Sequence, residues 1–145
     1  DPASGSAVFT VAPGGPAPAN STIVLSFVLR NPKAGQDSPL VEASGSGGVN
    51  MTAVAVSKGL GNAAPLLVAD FTTRGVGQST PSAGEDNTLS VTLQTRASLL
   101  AGTTVSIINL KGSQTSDPSL PITALANGTA TSVFGDAAQW IQISG

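Results

Sequence analysis

The stretch TLSVTLQT, residues 88–95, decides the fold class. Its apolar and polar side chains alternate, with Leu89, Val91 and Leu93 on one face and Ser90, Thr92 and Gln94 on the other. A period of two residues is typical of a β-strand that buries one face, because successive side chains of a strand point to opposite sides. We therefore predict a half-buried strand over residues 88–95.

Further strands are predicted on both sides of this stretch, separated by turns rich in Gly and Pro. The candidate strands cover residues 7–11, 22–30, 49–57, 65–73, 103–110, 120–125, 131–134 and 139–144. Residues 96–102 hint at helix, for about one turn. The spacing of the strands is typical of a sandwich or a barrel, and we predict an all-β fold, an Ig-like antiparallel β-sandwich.

Composition narrows the class of protein. The chain has 145 residues and a net charge of −2, and 40% of its residues are hydrophobic, which indicates one folded domain rather than a disordered chain. Its basic residues are scattered along the sequence, so nucleic acid is not expected as a partner. No apolar run approaches the ~20 residues that span a bilayer, so membrane insertion is not expected.

The chain lacks several of the residue types that most often carry out catalysis. Histidine, cysteine and tyrosine are absent, which removes the Ser-His-Asp and Cys-His nucleophile systems and the common zinc ligands. A carboxylate pair for glycoside hydrolysis, or a calcium site, would have to come from Glu42, Asp70, Glu85, Asp86, Asp117 and Asp136, and no spacing selects among them. We predict no enzyme, no catalytic residues, no metal and no cofactor. The lone Trp140 is expected to be a core or interface anchor rather than a sugar platform.

Three sequons, at Asn20, Asn50 and Asn127, match the N-glycosylation acceptor. Each lies beside a turn-like stretch, where a glycan can leave the surface without entering a core. Chance matches in a chain rich in Ser and Thr are the alternative interpretation. Glycosylation at these sites predicts covalent glycans and an extracellular or cell-surface location.

The N-terminal strand candidate consists of Ala7, Val8, Phe9, Thr10 and Val11. A linker rich in Pro and Gly follows over residues 13–21, and it is expected to be extended, because its prolines disfavour helix and strand pairing. Residues 12–19, the eight that carry the prolines and glycines, span roughly 25 Å when extended, more than a link between the two sheets of one sandwich needs. The predicted organisation is a donor strand within residues 1–12, the linker, and a sandwich over residues 22–145.

A detached N-terminal strand would expose Val8, Phe9 and Val11, so it should fill a groove of its own domain or of a neighbour. Residues 22–30 are apolar on both faces, so they need cover on both sides or lie at an interface. Strand addition to the next subunit gives a head-to-tail contact that does not close, and such contacts make filaments. We predict a structural subunit of an extracellular glycosylated filament whose partners are other copies of itself. The alternative is a monomeric Ig-like module of a larger adhesin or cell-wall protein that binds carbohydrate.

Three resemblances accompany this prediction. An apolar N-terminal strand, a linker and an Ig-like sandwich resemble the donor-strand subunits of surface fibres, although the chain has no pilin signature and no cysteine pair. The stretch PGGPAPANST, residues 13–22, resembles the hydroxyproline-rich glycoproteins of algal surfaces, which implies glycan sites at Pro13, Pro16 and Pro18. Residues 99–123 and 134–140 resemble repeats of large surface proteins of algae and other protists, which implies a surface location.

Overall fold

Short antiparallel strands make up most of the regular structure. The computed structural model describes residues 5–116, 118–125 and 128–142, and the chain divides into two units, residues 1–100 and 101–145. Within the described ranges the strands form three two-stranded sheets and there is little helix. The predicted class, rich in strand and poor in helix, is confirmed. The division after residue 100 has no counterpart in the predicted organisation.

The first hairpin of the first unit joins β1 (Glu42–Gly45) to β2 (Met51–Ala55). Its register shifts between Ala43 and Gly45. Gly47 in the connecting loop has a φ of 100°, a left-handed conformation that glycine adopts without strain. Strand β2 lies inside a predicted strand. Strand β1 was not predicted, because its sequence EASG shows no alternation of large apolar residues.

The longest hairpin joins β3 (Phe71–Gln78) to β4 (Leu89–Thr95), with Val76 opposite Val91. The two strands are antiparallel, and an irregularity next to Phe71 shifts their register. Strand β4 confirms the strand predicted from TLSVTLQT, but the prediction that its apolar face is half-buried is right only at Leu93, because Leu89 and Val91 are exposed. Its alternating side chains fit a pleated pair of strands, in which one face can be covered while the other meets water.

Side-chain hydrogen bonds close the loop over residues 79–88. The Oδ1 of Asn87 accepts from the backbone N–H of Ser79 at 3.1 Å, and its Nδ2 donates to Gln78 Oε1 at 2.9 Å. The N–H of Thr88 donates to Ser79 Oγ at 2.9 Å. Asn and Ser side chains satisfy the backbone of a turn in this way, so local polar chemistry holds the two ends of the hairpin together.

The first unit has no deeply buried core. No side chain in the described part of the chain is buried, and the half-buried residues of this unit concentrate in the ranges 35–41, 64–71 and 93–97. Gln36 and Val68 exchange two backbone hydrogen bonds, at 3.2 and 3.0 Å, which join the first two ranges. The best-covered part of the unit therefore lies around the C-terminal end of β4.

In the second unit, β5 (Ser119–Pro121) pairs with β6 (Ala137–Gln139), and α1 (Ala130–Phe134) lies between them in sequence. The pairing is antiparallel, with Leu120 opposite Ala138. No helix among the described residues is long and apolar enough to cross a membrane.

Several predicted elements differ from the structure. Residues 131–134 are helical within α1, because four residues are too few for periodicity to separate helix from strand. Strand β3 continues through Gly75 and Gly77, which the sequence placed in a loop. Residues 103–110 form no strand with any described residue, and residues 96–102 are not helical.

The two C-terminal strand predictions are right only in part. Of residues 120–125, the first two belong to β5, and the prediction over residues 139–144 meets β6 only at Gln139. The end of that second prediction, residues 143–144, lies outside the described residues.

Candidate assembly segments and glycan sites

Two apolar segments lie on either side of the linker: residues 7–11, here the donor segment, and residues 22–30, here the acceptor segment. The rings of Phe9 and Phe27 join them, with centroids 5.6 Å apart and planes tilted by 53°. Aromatic pairs favour tilted arrangements at this separation, because the positive ring edge meets the negative ring face. Sequence reasoning did not single out Phe27, and no sequence signal pairs it with Phe9.

No backbone pairing is seen for either segment among the described residues of the first unit. Neither segment forms a strand or a backbone hydrogen bond there. Backbone N–H and C=O groups left without partners in this way are a template for strand addition, as at the edge of a sheet. The strands predicted over residues 7–11 and 22–30 are not observed, because neither range pairs with another strand of this unit. Pairing of the donor segment with another subunit stays a prediction.

The side chains of the donor and acceptor segments are also exposed to solvent. Val28 is 97% exposed, and even the paired rings of Phe9 and Phe27 are 60% and 54% exposed. The remaining large apolar residues of the two segments that are more than half exposed are Val8, Val11, Ile23, Val24, Leu25 and Leu29. Scattered exposed apolar residues are ordinary, but a contiguous set is typical of an interaction surface.

The linker contains two turns and is not uniformly extended, contrary to the prediction. The N–H of Gly15 donates to the carbonyl of Ala12 at 3.0 Å, and the N–H and Oγ of Ser21 both donate to the carbonyl of Pro18, at 3.2 and 2.7 Å. Asn20 sits in the second turn with a φ of 62°, a conformation that Asn tolerates better than most residues. The turns allow Phe9 to reach Phe27 on the same chain.

The predicted glycan sites that the structure describes are all exposed. Asn20 lies in the second linker turn, and Asn50 directly precedes β2. The three linker prolines, Pro13, Pro16 and Pro18, are exposed as well. Asn127 lies outside the described residues. Exposure at a turn is what a transferase needs to reach the side chain, so each described site meets the steric requirement for a glycan.

The strongest electrostatic feature is a cluster around Arg96, which sequence reasoning missed. Arg96 Nε lies 2.7 Å from Asp70 Oδ1, and its terminal nitrogen lies 2.8 Å from Asp37 Oδ2. The hydrogen bond to Asp70, followed by that to Asp37, raises the pKa of Arg96 above its ordinary value. The Arg96 side chain is 22% exposed, so the pair is partly screened by solvent. The cluster joins the end of β4 to Asp37 and Asp70 in the same unit.

Among the described residues, no group of three or more acidic side chains could hold a metal ion. Glu85 and Asp86 are exposed in the 79–88 loop, Asp136 is exposed in the second unit, and Asp117 lies outside the described residues. The indole N–H of Trp140 donates to the carbonyl of Thr115 at 3.1 Å, as expected of an anchoring side chain.

Comparison of the chain with protein-family models, with curated proteins and with solved structures finds no match.

Proposed function

We propose that this protein is a structural subunit of an extracellular glycosylated filament. In this proposal each subunit donates residues 7–11 to its neighbour, and the added strand completes an Ig-like β-sandwich. One observation carries the proposal: the donor and acceptor segments keep large apolar side chains exposed and their backbones unpaired within the first unit. A chain in this state gains stability by burying these segments against a partner.

The energetics favour assembly. Burial of apolar surface contributes about 25 cal/mol per Å², so several large side chains together contribute several kcal/mol. A two-stranded hairpin in water is only marginally stable, and three or more strands with an apolar face are needed for independent stability. Each sheet in the described residues has two strands, so each is marginal by itself and is stabilised by burial against further strands. Donation between identical subunits uses two different surfaces and propagates as a filament.

Electron micrographs of the purified chain test the proposal directly. We expect filaments from the full chain and soluble, unpolymerised subunits after deletion of residues 1–12. The peptide SAVFTVA, residues 6–12, should bind the deleted chain, and a scrambled peptide of the same composition is the matched control. A full chain that remains monomeric at every concentration would contradict the filament proposal.

Glycans form the second part of the proposal. We expect Asn20, Asn50 and Asn127 to carry N-glycans, and Pro13, Pro16 and Pro18 to be hydroxylated and glycosylated, because each described site is exposed. The intact mass of protein from its native source, before and after enzymatic removal of N-glycans, measures this. A native mass equal to that of the bare polypeptide would show that the glycans are absent, and the argument for an extracellular location would then fail.

The ring contact between Phe9 and Phe27 favours a second candidate, because it lies within one chain. In that candidate the donor segment stays with its own domain, and the protein is a monomeric Ig-like module of a larger adhesin or cell-wall protein that binds carbohydrate. Deletion of residues 1–12 would then unfold the domain or leave its oligomeric state unchanged. Binding to a glycan array by the monomeric chain would support this candidate over the filament.

A further inference from the structure

The surface that receives the donor segment can be named from the contact between the two rings. We propose that residues 7–11 of one copy add alongside residues 22–30 of the next copy, with Phe9 packed on Phe27 of the neighbouring copy. This inference rests on the proposed function and identifies the partner surface within it. The occupant is a second copy of this chain, because the donor segment already contacts Phe27 within one chain, and identical chains can exchange such a contact.

The side-chain patterns of the two segments match around this contact. With a period of two, Ala7, Phe9 and Val11 share one face of the donor segment. The face of the acceptor segment that carries Phe27 is apolar throughout, with Ile23, Leu25 and Leu29. When Phe9 lies beside Phe27, Val11 falls beside Leu25 in an antiparallel pair or beside Leu29 in a parallel pair. Either direction brings apolar side chains together as cross-strand neighbours.

The backbones match as well. Neither segment contains proline, so every residue of each can donate a ladder hydrogen bond. Prolines stand just outside the two segments, at Pro13, Pro18 and Pro32. The donor and acceptor segments are therefore two proline-free apolar segments of strand length, each without a backbone partner in the first unit. The prolines on either side limit how far strand pairing can extend beyond them.

Exchange between copies explains why the contact within one chain is incomplete. The two segments come close enough for their rings to touch, yet no backbone hydrogen bond joins them and both rings stay more than half exposed. The linker between them contains three prolines and two turns, and it limits how the donor segment can align with the acceptor segment of its own chain. A donor segment from another copy is free of this constraint, and exchange of one contact between identical chains is a low-cost route to assembly.

Disulfide trapping tests the inference, because the chain has no cysteine of its own. The variant Val11→Cys is mixed with Leu25→Cys or with Leu29→Cys, which leaves both rings intact, and one partner is labelled with heavy nitrogen. After mild oxidation, intact mass separates heterodimers from homodimers. We expect a heterodimer with Leu25→Cys if the strands are antiparallel, or with Leu29→Cys if they are parallel. Disulfides form only between closely facing Cβ atoms, so the trapped pair reports the register.

The matched control is Val28→Cys, which lies in the same segment on the opposite face and is fully accessible. Its heterodimer yield with Val11→Cys sets the background, and adding Phe9→Ala to the Val11→Cys variant should reduce the specific yield to that background. Filaments in electron micrographs with no heterodimer above background from either pair would overturn this acceptor while leaving the filament proposal intact. Absence of filaments from the unmodified chain would instead overturn the proposed function, and this inference with it.

Discussion

The β3–β4 hairpin and the N-terminal region over residues 7–30 are both rich in residues that favour strands, yet only the hairpin is paired within the first unit. In the hairpin, β4 alternates apolar and polar side chains, and a short polar loop closes the pair. In the N-terminal region, the acceptor segment is apolar on both faces and the linker is rich in proline. The difference is that the hairpin pairs its strands locally, whereas the N-terminal region leaves its apolar segments exposed and without a strand partner in the first unit; the proposed filament pairs them between copies.

Loss of assembly through the donor segment is the largest expected effect. Phe9→Asp should abolish filaments, because the carboxylate would lose its hydration at a contact that offers it no partner. Sedimentation and electron microscopy measure the loss. The matched control is Ser82→Asp, which adds the same charge in the exposed 79–88 loop and should assemble normally. Normal filaments from Phe9→Asp would show that the donor segment lies outside the assembly contact.

Substitutions in the β3–β4 hairpin should change the free energy of unfolding rather than filament formation. Leu93 is half-buried, so Leu93→Ala should lower the free energy of unfolding by ~1–2 kcal/mol, below the range for a fully buried leucine. Urea denaturation of the full chain, at a concentration too low for filaments to form, measures this. Ser90→Ala on the exposed face of β4 is the control. Equal effects at the two positions would mean that the hairpin has no covered face.

The loop that closes the hairpin should make a smaller contribution. Asn87→Ala removes hydrogen bonds to Ser79 and Gln78, and we expect a loss of about 0.5–1.5 kcal/mol in the same denaturation experiment. The neighbouring Asp86→Ala changes an exposed side chain in the same loop and should have little effect. A larger loss for Asp86→Ala than for Asn87→Ala would contradict the role of Asn87 in closing the loop.

The Arg96 cluster should give the smallest effect. Arg96→Gln breaks the ion pairs with Asp70 and Asp37, and we expect a small decrease in Tm that fades as salt is added, because the pairs are partly exposed. Arg74→Gln removes the same charge from an exposed position of β3 and serves as the control. If both substitutions lower Tm equally, the effect comes from net charge and not from the cluster.

The raised pKa of Arg96 determines how the Tm difference caused by Arg96→Gln depends on pH. The pKa is raised in the folded chain, so the stabilisation from arginine is fully present below its ordinary value and is lost only as the pH rises through the raised value. The difference in Tm between Arg96→Gln and the unsubstituted chain should therefore not decline as the pH is raised from 7 to 9. A decline over that interval would contradict the pKa direction.

Particular residues show which features of the fold and of the candidate site could be predicted from the sequence. The strand at TLSVTLQT was predicted correctly, because its alternation spans enough residues to separate strand from helix. Residues 131–134 were predicted wrongly as strand, because so short a run fits either structure. The candidate donor segment was identified by composition and by its linker. Its ring contact was missed because Phe9 and Phe27 belong to segments that no local pattern connects.

The sequence by itself determined that this chain forms strands joined by Gly- and Pro-rich turns, and that a short apolar segment precedes a linker rich in Pro and Gly. These properties follow from local preferences and from the two-residue period of a strand. Only the tertiary structure decided which segments meet: β3 with β4, Arg96 with Asp37 and Asp70, and Phe9 with Phe27. The physical reason is that periodicity assigns a side chain to a face, whereas the partner on that face depends on how distant parts of the chain pack.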